Sequence, residues 1–412
     1  MSFDVASEVG QLRRVILHRP GLELSRLTPS NCEALLFDDV LWASRAREEH
    51  DAFASDLRER GVEVLYYAQM LGEALEDPEA REWAIERVLN ERTVGPSLVE
   101  PLQRMSREAD GATLARYWIG GVVREDISNH PGGLLWSVLG DDDFVLPPLP
   151  NTLFTRDNSA WMYGGVTLNP MSKPARRRET IHTGVIYRWH PIFRAAFDRA
   201  DGFRVWLDGV DTPAGPATVE GGDLLVVGNG TLMIGVSERT SPQAVEILAQ
   251  RLFDSGQAQR VIAVQLPRSR AFMHLDTVMT MVDRDAFVAY PGLVESVESY
   301  TLTRPDPEGP LRVNRNQALA PALADALAVD RLRILTADMD PRAAEREQWD
   351  DGNNFLALAP GVIVGYERNE RTNGMLRDHG IDLVAVAGSE LGRGRGGPRC
   401  MSCPVQRDPL PA

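Results

Sequence analysis

Two stretches of this chain follow one plan closely enough to bound its architecture. The segment EGGDLLVVGNGTLMIGVSERTSPQAVEILAQRLFDSGQAQRVIAVQL from Glu220, and the segment DDGNNFLALAPGVIVGYERNERTNGMLRDHGIDLVAV from Asp350, run in one order. A short acidic motif leads an apolar strand, a glycine turn, a second strand, an Arg-bearing polar stretch, a helix and a last strand. Looser units open around Leu36 (LFDDVLWASRAREEHDAFASDLRERGVEVLYY), Phe154 (FTRDNSAWMYGGVTLNP) and His274 (HLDTVMTMVDRDAFVAY). Five diverged ββαβ modules suit a closed radial array, with the leading acids converging on one site. Chance likeness among unrelated strand-turn-strand units is the alternative.

Between the first and second modules the period changes. Leu71, Leu75, Ile85, Val88, Leu89, Leu98, Leu102, Met105, Leu114 and Trp118 recur at three- and four-residue spacing, which predicts helix. Gly95, Pro96, Pro101 and Gly111 punctuate the stretch, so several short helices are expected, as an insertion over residues 71–127 in one domain of residues 1–412. Their apolar stripes read as packing surface.

The formal charge of −15, from 44 Lys and Arg against 59 Asp and Glu, disfavours a nucleic-acid binder and mildly favours a cationic small ligand. Charges at Asp4, Glu8, Arg13, Arg14 and Arg19 break up any signal-peptide core, and no apolar run approaches a membrane span. A cytoplasmic location is expected. Three cysteines, Cys32, Cys400 and Cys403, are too few and too odd in number for a disulfide framework, so reduced thiols are expected.

The run GRGRGGPRCMSCPV surrounds Cys400 with Arg393, Arg395 and Arg399, and with Gly394, Gly396 and Gly397 that let backbone bend closely around a ligand. Nearby cations depress a thiol's pKa, so an activated Cys400 is expected. A redox pair with Cys403 lacks its thioredoxin-like setting, half a zinc site lacks a second ligand pair, and an Arg-Gly nucleic-acid tail fits poorly with the acidic chain. Cys32 and Cys403 read as small hydrophobes. In MHLDTVMT, strand alternation would turn His274 and Asp276 to one face, pairing a proton carrier with a carboxylate. Asp157 of FTRD, and Glu220 and Asp223 of EGGD, read singly as turn residues. Together with Asp276 they suit a guanidinium, which is planar, permanently charged and needs acceptors in its plane.

These motifs resemble arginine deiminase, in the guanidino-modifying superfamily whose fold is the five-bladed β/α propeller called the pentein. The likeness extends in order through LFDDVLW, FTRD, NPMSKPARRRET, EGGD, GVSERTS, MHLDTVMT and GRGRGGPRCMSCP, and the helical insertion also looks like that family's. It implies Cys400 rather than Cys403 as nucleophile, because Met-Ser follows it directly. His274 would be general acid and base, with Asp157, Asp276 and Glu220 gripping the guanidinium. Asn151, Phe154, Arg176 (or its neighbour Arg177 or Arg178), Arg239 and Arg395 would hold the rest of the substrate, while Arg399 carries no implied role. The implied reaction takes L-arginine and water to L-citrulline and ammonia through a covalent thiouronium, with no cofactor and no metal. A homo-oligomer is expected. Agmatine as substrate, transfer to an amine, or a non-catalytic arginine-binding propeller are the alternatives.

Overall fold

In the computed structural model, which describes residues 3–128, 132–199, 201–211 and 215–410, five small sheets repeat one pairing. In each, two antiparallel strands are followed by a third that returns parallel to the second. Ser159–Met162, Gly165–Leu168 and Arg204–Asp208 form one such set. Leu224–Gly228, Thr231–Val236 and Arg260–Gln265 form the next, extended at its edge by Glu298–Thr303 and Arg312–Arg315. Met279–Asp283, Ala286–Ala289 and Arg333–Leu335 follow, then Leu356–Ala359, Val362–Tyr366 and Asp382–Val386.

Sequence chemistry accounts for the hairpins. Between the strands from Leu224 and Thr231, Asn229 and Gly230 take φ of 49° and 65°, the left-handed pair that a tight hairpin turn needs and that Asn-Gly adopts most readily. The strands are buried on both faces, which is why they read as unbroken apolar runs rather than alternating ones.

The fifth set departs from expectation. No strand starts at Leu36, which takes φ of 65° in a loop. The helix Ala43–Glu59 and strand Glu63–Tyr66 of that module instead complete a sheet whose antiparallel pair is Leu12–Leu17 with Ser402–Arg407, from opposite ends of the chain. The His274 segment also differs: Leu275–Thr277 is a tight 3-10 turn ahead of its strand, not strand.

The turn Thr155–Asn158 touches the strand Ser402–Arg407 on one side and the turn Gly221–Asp223 on the other. Gly221–Asp223 touches Leu275–Thr277. Strand Met279–Asp283 touches Leu356–Ala359, which touches Leu12–Leu17. The segments that lead the hairpins are therefore neighbours, and side chains from distant parts of the chain share one buried region.

Helices occupy Tyr67–Leu75, Pro78–Val88, Glu91–Val94, Pro96–Glu108 and Gly111–Gly120. Their starts follow local capping: Asp77 accepts from the Glu79 and Ala80 amides and Asp110 from the Thr113 amide. Gly95 and Gly111 stand at boundaries, whereas the helix from Pro96 runs through Pro101. No helix among the described residues is long and apolar enough to cross a membrane.

Leu17, fully buried between both strand partners, reports on the sheet built from the two chain ends. Leu17→Ala should lower unfolding free energy by about 2–5 kcal/mol in a urea titration, and a loss below about 0.5 kcal/mol, the scale of a surface substitution, would show that this sheet is not part of the cooperative core.

Candidate active site

Four of the five expected catalytic residues sit on the turns that lead the hairpins, and all five are almost wholly buried: Cys400, His274 and Asp157 are each 3% exposed, Glu220 and Asp276 fully enclosed. His274 Nε2 lies 2.9 Å from Glu220 Oε2, and its Nδ1 lies 3.8 Å from Asp157 Oδ1. The Cys400 thiol reaches Asp276 Oδ2 at 3.6 Å. Asp157 Oδ1 also accepts from the Gly222 amide at 3.1 Å. These groups thus meet, although they come from four separate segments.

Gly222 makes the meeting possible. A Cβ there would stand 2.6 Å from His274 Nδ1 and 3.0 Å from Asp276 Oδ1, so His274 and Asp276 face the same space across a bare backbone rather than through strand alternation. Asp223 fixes the turn from below. It accepts from the Leu275 amide at 2.9 Å and the Ser237 hydroxyl at 2.7 Å, and burial raises its pKa to about 7 against the pull of His274 and those donors.

Burial alone would drive the proton off His274. The charge of Asp157, the hydrogen bond that His274 donates to Glu220 and the charges of Asp223 and Glu220 outweigh it and raise the pKa to about 9. The imidazole is therefore a cation at neutral pH. Glu220 is held at about 2: burial opposes this, but Arg239, His274 and Arg176 prevail.

Cys400 does not behave as its arginine-rich neighbourhood in sequence suggests. Burial, then Asp276, Asp157 and Asp351, push its thiol well above the ordinary cysteine value, and Arg399 only partly offsets them. The side chains of these arginines lead elsewhere. Arg393 pairs with Asp39 at the surface. Arg395 lies over the Trp349 ring at 3.5 Å. Arg399, fully buried, donates to Asp276 Oδ2 at 2.7 Å, Glu8 Oε2 at 3.0 Å and the Leu224 carbonyl at 2.7 Å. The expected activation of the thiol by adjacent cations is thus corrected: among these neighbours the thiol keeps its proton.

The glycines before Cys400 also have a packing cause. A Cβ at Gly396 would fall 2.4 Å from the Phe154 ring and 3.0 Å from Cys400 Cβ. Phe154 in turn stacks on Phe37. Cys403 lies outside the site, with its thiol 3.4 Å from the Ser159 carbonyl.

The residues expected to hold the remainder of a substrate divide into spent and unspent. Arg176 is enclosed, bound to Asp157 Oδ2 at 2.6 Å, to both Glu179 oxygens at 3.0 and 2.9 Å, and to the Asn151 carbonyl at 3.0 Å. Its neighbour Arg177 is exposed, and Arg178 donates to the carbonyls of Trp118 and Pro147, so of the three only Arg176 faces the site. Arg239 pairs with Glu220 at 3.3 Å and Glu238 at 2.8 Å. The Asn151 amide donates to the Leu35 carbonyl at 2.6 Å. Arg395 alone is uncommitted: it is 5% exposed, and none of its three nitrogens finds an acceptor among the described residues. Asp276 Oδ1 is the matching free acceptor, buried and unbonded.

Two residues of the site were not anticipated. Asn354 donates to Cys400 Sγ at 3.1 Å and accepts from the Arg399 and Cys400 amides at 3.0 and 3.1 Å, which fixes the thiol's approach. Asp351 is buried with both oxygens unbonded, its pKa raised to about 7 by burial against the pull of Arg395. Both belong to the acidic start of the Asp350 module, the signal that could have placed them. Asp157, Glu220 and His274 also offer ligand atoms within 4.8 Å of one another, but Arg176 Nη1 stands 2.6 Å from Asp157 and 3.8 Å from Glu220, a cation already in that place.

The family model for arginine deiminase matches residues 33–407. Among solved structures, dimethylarginine dimethylaminohydrolase from Pseudomonas aeruginosa in complex with citrulline is 15% identical, with a TM-score of 0.53 over 95% of this chain and 99% of that one. The amidinotransferase SxtG from Microseira wollei is 13% identical, with a TM-score of 0.56 over 99% and 98%. The N-terminal domain of ArgZ, covalently bound to a reaction intermediate, is 13% identical, with a TM-score of 0.55 over 97% and 99%. At these identities the likeness is one of fold.

A methyl group at position 222 would wedge His274 away from Glu220. In Gly222→Ala the His274 pKa, followed by NMR, should fall from about 9 toward its ordinary value, because a partner that raises it is lost. An unchanged titration would show that the close approach does not govern this contact.

Proposed function

The chain belongs to the arginine deiminase family, and from that premise we propose that it hydrolyses free L-arginine to L-citrulline and ammonia. The observation that carries this reading is the convergence of Cys400, His274, Asp157, Asp276 and Glu220 in one enclosed site. The five like sheets support a five-bladed propeller around that site, with residues 71–127 as a helical insertion in a single domain.

The substrate's guanidinium enters between Asp157 and Asp276, where Asp276 Oδ1 is free to accept its N–H groups. A positive charge there offsets the burial and the carboxylates that hold the thiol protonated, so the substrate itself promotes formation of the Cys400 thiolate, the thiol proton passing to solvent as the substrate enters. The thiolate adds to the guanidinium carbon, and His274, already protonated, gives its proton to the departing ammonia. Neutral His274 next takes a proton from water as it attacks the thiouronium carbon, and collapse of that adduct breaks the C–S bond, releasing citrulline and the Cys400 thiolate. Glu220 and Asp157 stabilise the imidazolium throughout.

Arg395, with unspent donors, is the group best placed to receive the substrate carboxylate. Arg176 and Arg239 must exchange present partners to assist. Agmatine has no carboxylate and should be a poor substrate.

The direct test is to incubate the protein with arginine or agmatine and assay citrulline and ammonia. Citrulline from arginine, lost in Cys400→Ala and largely kept in Cys403→Ala, is expected. No citrulline, or the reverse pattern of thiols, would overturn the proposal. Because His274 must be protonated and its pKa is about 9, kcat should fall as pH rises through that value. Glu220→Gln removes a hydrogen bond and a charge that raise this pKa, so its alkaline limb should move to lower pH; an unmoved or higher limb would remove His274 as the acid.

A further inference from the structure

The arginine run Arg176-Arg177-Arg178 serves two places. Arg176 turns inward, while Arg177 and Arg178 line a separate cavity of about 580 Å³ with Arg87. Its other walls are mainly apolar, including Phe144, Leu149 and Ile181, and no carboxylate lines it among the described residues. That charge pattern is opposite to the chain's, in which 59 acidic residues outnumber 44 basic ones.

Its cations are poorly balanced. Arg87 pairs with Asp211 at 2.7 Å and lies over Trp83, but Arg177 makes no ion pair or hydrogen bond among the described residues. Among the described residues Arg178 donates only to the Trp118 and Pro147 carbonyls, and its buried Nε has no acceptor. Burial, against the pull of Glu179, lowers the Arg178 pKa to about 9. A guanidinium withdrawn from water without a counter-charge is costly, and a bound anion relieves that cost. The helix Arg177–Trp189, whose first turn is at this wall without a side-chain cap, adds the favourable end of its dipole.

We propose that this cavity binds a small organic anion with an apolar body, its carboxylate, sulfonate or phosphoester between Arg177 and Arg178 and its hydrocarbon against Phe144, Leu149 and Ile181. The volume lies within the range of small-molecule sites. The cavity is distinct from the Cys400 site, and the proposal does not depend on the reaction assigned there.

Titration of the full chain with 1-anilinonaphthalene-8-sulfonate tests it. A single saturable site is expected, with hydrogen-exchange protection confined to residues 146–149 and 174–181. Octanoate should displace the probe and octylammonium should not. Arg177 is exposed and unpartnered, so Arg177→Glu should keep the thermal midpoint and weaken binding at least tenfold, while Arg204→Glu, at an exposed site outside the cavity, binds as before. No saturable binding, protection elsewhere, equal displacement by octylammonium, or unchanged affinity in Arg177→Glu would each overturn the assignment.

Discussion

The candidate site depends on two buried carboxylates, each held by a buried arginine. Asp276 is gripped by Arg399 and Asp157 by Arg176, at 2.7 and 2.6 Å. Removing one partner of such a pair leaves an uncompensated charge and costs about 3–5 kcal/mol, so the turns carrying these acids are ordered by ion pairing as well as by packing. Arg399 reaches further, to Glu8. Glu8 lies just before strand Leu12–Leu17 and Arg399 just before strand Ser402–Arg407, so one ionic chain joins both ends of the polypeptide to the carboxylate beside Cys400.

That balance sets the chemistry available. Buried, with carboxylates on several sides and every nearby arginine but Arg395 already bonded, the site stabilises cations and destabilises a thiolate. His274 is consequently kept charged and Cys400 neutral. A guanidinium is the complementary guest because it brings the missing positive charge and planar donors for Asp276 Oδ1. Recognition and activation of the thiol then become one event.

How much of this was legible in the sequence depended on how local each cause is. The hairpin at Asn229-Gly230 could be read, because the turn chemistry lies in adjacent residues. The sheet of Leu12–Leu17 with Ser402–Arg407 could not, since neither strand has a chain neighbour to pair with, and the unit at Leu36 was assigned a hairpin it lacks. The acids Asp157, Glu220 and Asp276 were found from the guanidinium's own geometry. Asn354 stands in the acidic start of the Asp350 module, but a guanidinium calls for carboxylates, and that requirement does not point to an amide. The electrostatics of Cys400 is not legible along the chain, because Arg393, Arg395 and Arg399 are near it in sequence while their side chains go to Asp39, Trp349 and Asp276. Adjacency likewise left Arg176, Arg177 and Arg178 equivalent until the helix starting at Arg177 separated them.

The central claim is that a bound guanidinium turns a protonated Cys400 into a thiolate. Thiolate ultraviolet absorbance, titrated against pH with and without methylguanidine and corrected with Cys400→Ser, measures this directly. The account predicts a titration well above that of an ordinary cysteine in the free protein and a clear downward shift when methylguanidine is bound. A thiol already ionised at neutral pH without ligand, or one whose titration ignores the ligand, would contradict it.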